Sequence, residues 1–191
     1  MTSNKVQSLR TGVFIDGSNL FWAMNMRDKK TGDKLHFYIS FEKLKDYLNE
    51  KFSPVFYNYY GVEDKNPTKE PHISRANGTK KFHDKLSGLG YNVIRKDLKY
   101  IGADSTKGDT DSEVQLDMHK LVNDYDNIVL FSGDSDFFAP ISYFHSIGKF
   151  IRIYSFEETL SWELKDFAIK NTRCNYKLLD ELRSEIEYIQ S

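Results

Sequence analysis

The chain has 191 residues, with 27 basic against 28 acidic side chains and a net charge of −1. That length favours a single domain around one well-buried core, and the charge balance excludes a protein that is basic all over, so a polyanion would have to be met by a local patch. One cysteine, Cys174, excludes an internal disulfide framework and a multi-thiolate zinc site and points to a reducing compartment; with no signal-peptide stretch in residues 1–10 and no uncharged run long enough to span a bilayer, the expectation is a soluble, cytoplasmic protein with no membrane attachment.

Residues 11–16 form an apolar run that ends in a carboxylate, Asp16, followed by Gly17-Ser18-Asn19; this reads as a buried strand with an acidic tip. Residues 20–27, with Phe21, Trp22, Met24 and Met26, read as a short helix opened by Ser18 or Asn19, and 29–34 as a polar loop. Residues 41–51 place apolar side chains at 41, 44, 47 and 48, which is helical spacing, behind Ser40 as N-cap. A strand is predicted at 55–60. Residues 61–78 hold two of the four prolines without a clean period and read as a long loop. A helix at 79–89 stops at Gly90, and a strand follows at 91–95. Residues 111–123 form a helix with Val114, Met118, Leu121 and Val122 on one side.

A second apolar run, 128–131, ends in Ser132-Gly133-Asp134-Ser135-Asp136. After it come a helix through 138–146, a stop at Gly148, a strand at 150–154, and closing helices at 160–171 and 176–189. Five strands alternating with helices predict an α/β fold, a three-layer sandwich around a mainly parallel, doubly wound sheet of about five strands. The expected organisation is one domain over 1–191, with its core at about 11–172 and a C-terminal helix at about 175–190. That helix packs on its own sheet by default, and self-association into a homo-oligomer is the alternative.

In a parallel sheet the C-terminal strand ends share one edge, so Asp16 and Asp134 can meet although they are more than a hundred positions apart. Carboxylates gathered in this way repel one another unless something positive sits between them, and the usual candidate is a divalent cation. Between the two tips, 107–117 is a third carboxylate-rich stretch with Asp109, Asp111, Glu113 and Asp117. At about 100° per residue Asp111 and Asp117 stand roughly 120° apart around the helix, so the helix alone does not align them. Asp111 can reach the site from the first turn or as an N-cap, where the helix dipole favours a carboxylate. Capping is the plain alternative for Asp109, Asp111, Asp134 and Asp136, and a tight turn with Gly17 is the alternative for Asp16. Asp117 has no basic residue four positions on, since position 121 is Leu.

The one basic region runs through Lys65, Lys69, Arg75, Lys80, Lys81, Lys85, Arg95, Lys96 and Lys99, with nearby tyrosines as possible stacking faces; lysines that merely solubilise a loop and helix are its plain alternative. His36, His72, His83, His119 and His145 show no spacing that indicates a catalytic triad or a zinc site.

The stretches 13–20 (Val13-Phe14-Ile15-Asp16-Gly17-Ser18-Asn19-Leu20), Lys107-Gly108 with Asp111 and Asp117, and 129–137 resemble, in order and spacing, the three signature blocks of the NYN domain family in its LabA-like branch, within the PIN-like nuclease superfamily. The resemblance continues through Gly148-Lys149 and 160–166 and covers about 12–180. In one departure, Lys107-Gly108-Asp109-Thr110-Asp111 carries one more residue than the family pattern, and Asp111 is matched by its spacing to Asp117. The resemblance implies a Mg²⁺- or Mn²⁺-dependent nuclease acting most often on RNA, with Asp16, Asp117 and Asp134 as metal ligands. Asp111 and Asp136 would complete the catalytic set. Substrate contacts would come from Asn19, Ser18 and Lys107, with Lys80, Lys81 and Arg95 of the basic region. The rival reading is a non-catalytic RNA-binding or regulatory module, for which the displaced Lys107 argues. A phosphatase of the haloacid dehalogenase type would need its Asp-any-Asp pair on the first strand, where Gly17 and Ser18 follow Asp16 instead.

Overall fold

The computed structural model describes residues 9–67, 70–101 and 105–189. In chain order the elements are β1 (Thr11–Asp16), α1 (Gly17–Met24), α2 (Phe41–Phe52), β2 (Phe56–Glu63), α3 (His72–Gly88), β3 (Asn92–Asp97), a two-stranded antiparallel ribbon of β4 (Lys99–Ile101) and β5 (Ser105–Lys107), α4 (Asp111–Lys120), β6 (Asn127–Phe131), α5 (Phe138–Ser146), β7 (Phe150–Ser155), α6 (Trp162–Lys170), β8 (Cys174–Leu178) and the short α7 (Arg183–Ile186).

Six strands form one sheet in the order β3-β2-β1-β6-β7-β8, with every neighbouring pair parallel. All residues of β1 and β6 are buried, as strands covered on both faces must be. Alternation along the strands then builds two cores. Val13, Ile15, Val129 and Phe131 face one layer with Leu20 of α1, Leu44 and Leu48 of α2, and Leu86 of α3. Phe14, Ile128 and Leu130 face the other with Val114 and Met118 of α4, Ile141 and Phe144 of α5, and Leu164 of α6. Each large side chain buried here contributes about 1.5–3 kcal/mol. The three-layer α/β reading therefore holds.

The chain runs outward from β1 through β2 to β3, then returns by α4 to place β6 on the other side of β1, with Val13 opposite Val129 and Ile15 opposite Phe131. This reversal of direction opens a crevice beyond the C-terminal ends of β1 and β6. Both acidic tips lie there.

Two expectations are corrected. The segment 176–189 is not a helix: Tyr176 and Lys177 pair with Ile153 and Tyr154 in β8, and only then do a 3-10 turn (Leu179–Leu182) and α7 follow. The apolar spacing that pointed to a helix is carried by Leu179, Leu182 and Ile186, which are buried beyond the strand. The sheet consequently has six strands, not five. The long loop at 61–78 is also shorter than expected. Gly61, Val62 and Glu63 continue β2 against Arg95, Lys96 and Asp97, and α3 begins at His72, its first half burying only Ala76 and so showing no apolar period. Among the described residues no helix is long and apolar enough to cross a membrane.

Candidate active site

Asp16 is 1% exposed and closes β1 while capping α1. Its Oδ1 accepts from the backbone N–H groups of Ser18 and Asn19, both at 3.1 Å, and from the Thr110 hydroxyl at 3.2 Å. Its Oδ2 accepts from the Ser132 hydroxyl at 3.0 Å. Burial pushes the Asp16 carboxyl above its ordinary range, and these four donors oppose that shift. With three donors on Oδ1, the remaining acceptor capacity of the carboxylate is on Oδ2. The tight-turn reading of Asp16 is thus also true, since Gly17 is required where a Cβ would meet Tyr59 and the Tyr60 carbonyl.

The other elements are tied to the same point. Thr110 is the N-cap residue of α4, yet its hydroxyl makes no cap bond and goes to Asp16 instead. Asp111 follows in the first turn, where the positive end of the helix dipole lies. Its carboxyl is pushed up to about 7, first by burial and then by the charges of Asp16, Asp134, Asp109 and Asp136. Beyond β6, the Ser132 hydroxyl also accepts from the Asp134 N–H at 3.3 Å, and Asp134 Oδ1 accepts from the Asp136 N–H at 3.0 Å as the cap of the 3-10 turn Ser135–Phe137. Gly133 donates to Asn19 Oδ1 at 3.3 Å and accepts from the Ser161 N–H at 2.8 Å. A Cβ on Gly133 would run into the Thr159 carbonyl and the Ser155 hydroxyl. The β6 tip is therefore clasped between α1 and the turn Glu157–Thr159 that precedes α6.

The result is a cleft of about 430 Å³ lined by Asp16, Ser18, Asn19, Trp22, Gly108, Asp109, Asp111, Gly133, Asp134, Ser135, Glu158, Thr159 and Ser161. Five carboxylates line it, and no lysine or arginine does among the described residues. Such a donor set suits a hard divalent cation such as Mg²⁺ or Mn²⁺. The Ser161 hydroxyl is buried in the wall without a protein partner, next to the N-terminus of α6.

Of the residues singled out in the sequence, the cleft brings together Asp16, Asp111, Asp134, Ser18 and Asn19. Asp117 does not line it. Six residues along α4 is nearly two turns, about 9 Å of rise; there Asp117 Oδ2 accepts from the Tyr60 hydroxyl at 3.2 Å and Oδ1 lies 3.5 Å from Lys120 Nζ. Asp136 is exposed outside the lining, its carbonyl accepting from Gln115 Nε2 at 3.3 Å. Lys80 and Lys81 are exposed on α3, which packs on the β2–β3 side of the sheet. Arg95 is engaged by Asp84 at 2.7 Å and Glu63 at 3.5 Å. Lys69 lies outside the described residues, as does the side chain of Lys107. Residues with no assigned role in the sequence reading also contribute: Thr110 and Ser132 as donors to Asp16, and Glu158 and Ser161 as cleft wall. Short hydroxyl residues inside acidic motifs were the available signal for the first two. Glu158 and Ser161 offered none.

The NYN domain family matches residues 10–172. A curated relative, the low amplitude and bright protein LabA of Synechococcus elongatus, is 30% identical over 93% of this chain and 88% of its own. The crystal structure of a protein of unknown function from Vibrio parahaemolyticus superposes with a TM-score of 0.70 at 20% identity, covering 95% of this chain and 98% of that one, which is a likeness of fold.

Proposed function

The chain belongs to the NYN domain family, and on that premise we propose that it is a divalent-metal-dependent nuclease that hydrolyses phosphodiester bonds in RNA. The observation that carries this reading is the meeting of Asp16, Asp111 and Asp134 in one cleft at the reversal point of the sheet, with no basic side chain of the described lining to neutralise them. We take Asp16 through Oδ2, Asp111 and Asp134 as the ligands, with Asp109 beside them, in place of a set that includes Asp117. Mg²⁺ or Mn²⁺ bound by these residues would supply Lewis acidity toward a phosphoryl oxygen and an acidified water.

The chain's own groups orient the substrate. Asn19 uses its carbonyl on Gly133, which leaves its amide Nδ2 as a donor facing the cleft. The N-terminus of α6 offers further donors to a phosphate oxygen. Trp22, 59% exposed in the cleft wall, offers a stacking face to a base. The test is cleavage of single-stranded and structured RNA with Mg²⁺ or Mn²⁺, comparing wild type with Asp16→Asn and Asp134→Asn. Loss in both variants is expected, and activity that survives both overturns the mechanism.

A second reading is an RNA-binding or regulatory module that does not cleave. It is favoured by the extra residue between Gly108 and Asp111, which departs from the family pattern of the second acidic block. RNA binding that persists in a chelator, without cleavage in either metal, would decide for it.

A further inference from the structure

At the rim of the cleft stands a buried imidazole with no role in the account above. The His36 side chain is 1% exposed and stacks on Phe156, with ring centroids 4.3 Å apart. Its Nδ1 lies 3.2 Å from Asp180 Oδ1, and its Nε2 lies 2.9 Å from Glu158 Oε2. His36 precedes α2, Glu158 lies in the turn after β7, and Asp180 lies in the turn after β8. No linear motif joins these positions, and Asp180 reads from the sequence as part of a closing helix at 176–189.

The two contacts of the ring differ in kind. The Nδ1 contact is a hydrogen bond, and Asp180 is itself fixed by accepting from the Glu157 N–H at 3.0 Å through Oδ2. The Nε2 contact is shorter but is not a hydrogen bond, and the nitrogen is buried without a partner. In the neutral tautomer that donates Nδ1–H to Asp180, Nε2 turns a lone pair toward Glu158. A lone pair held close to a carboxylate oxygen, out of line for a shared proton, is repulsive unless a cation serves both. His36 Nε2 and Glu158 Oε2, 2.9 Å apart, can both reach one ion at ligand distances of about 2.0–2.2 Å.

We propose that His36, Glu158 and Asp180 form a second metal site, specific for a first-row transition-metal dication of which Zn²⁺ is the best fit, at the rim of the acidic cleft. His36 Nε2 and Glu158 are its ligands, and Asp180 orients the imidazole through Nδ1, the arrangement by which carboxylates commonly hold metal-binding histidines. An imidazole nitrogen selects Zn²⁺ over Mg²⁺, whereas the all-oxygen cleft has the opposite preference. Because Glu158 belongs to the cleft wall, an ion here ties the turn Glu157–Thr159 to the segment before α2.

The test is calorimetric titration of the metal-stripped full chain with Zn²⁺ in saturating Mg²⁺, with ¹⁵N spectra of the His36 ring. Wild type and Asp16→Asn should each bind one equivalent, with a Zn²⁺-dependent shift at His36 Nε2. Glu158→Gln, a change at a half-exposed side chain whose intact fold is checked by thermal melting, should weaken binding at least about tenfold, and Asp180→Asn by about 10–100-fold. Three results would overturn the site: no Zn²⁺ bound, Zn²⁺ bound in a manner lost in Asp16→Asn but retained in Glu158→Gln, or a His36 ring protonated on both nitrogens and indifferent to Zn²⁺.

Discussion

Thr110 donates its hydroxyl to Asp16 Oδ1 at 3.2 Å although the two residues are 94 positions apart. The same side chain stands where a helix cap would be expected and caps nothing. This bond fixes the N-terminus of α4, and with it Asp111, against the tip of β1.

Replacing Thr110 with Val keeps the shape and removes the donor. A buried hydrogen bond to a charged group contributes about 1.5–3 kcal/mol, so Thr110→Val should lose stability in that range by denaturant titration. Cleavage should fall with it, by about tenfold for a misplaced ligand. Thr110→Ser, which retains the hydroxyl, should recover most of both.

The Asp111 carboxyl, raised to about 7 by burial and then by its acidic neighbours, sets a pH dependence. The folded protein holds this proton over a range in which the unfolded chain, with a carboxyl near 3.8, has released it. The stability associated with the protonated form is present below about pH 4 and is lost as pH rises toward 7. In chelator, Asp111→Asn should therefore melt above wild type at pH 8 and equal it at pH 4, by about 1 kcal/mol once solvent screening of a half-exposed group is allowed for. Saturating Mg²⁺ should reverse the order at pH 8.

Asp111 and Asp117 separate the geometry of the cleft from the motif spacing. Asp117 is bonded to Tyr60 and Lys120, away from the lining. Manganese titration followed by electron paramagnetic resonance should show affinity reduced at least about tenfold in Asp111→Asn and changed less than about twofold in Asp117→Asn. Equal losses in the two variants would restore Asp117 to the ligand set.

Gly133→Ala puts a methyl group against the Thr159 carbonyl, which is backbone and cannot swing away. Overpacking of this kind costs about 1–3 kcal/mol. The melting temperature should drop, and the cleft wall at Glu158 and Thr159 should shift in a crystal structure of the variant.

Much of this was legible because strands buried on both faces leave long apolar runs. Val13-Phe14-Ile15 and Ile128-Val129-Leu130 announced themselves, and the parallel arrangement then forced Asp16 and Asp134 to one edge. β8 was not legible, since Leu179, Leu182 and Ile186 after it repeat at helical spacing and pulled Tyr176 into the wrong element. The choice between Asp111 and Asp117 was hidden as well. The start of α4 at Asp111 was legible, but the Thr110 bond that holds this end against Asp16 and the Tyr60 hydroxyl that engages Asp117 are tertiary and leave no local pattern. Glu158 reaches the cleft only through the turn after β7, where Gly133 lets the backbone at Thr159 come close.

Anomalous diffraction from a crystal soaked in Mn²⁺ addresses the central claim most directly. The account predicts a peak bounded by Asp16 Oδ2, Asp111 and Asp134, absent in Asp16→Asn. A cleft without a peak under saturating Mn²⁺, or a peak held by Asp117 instead, would contradict it.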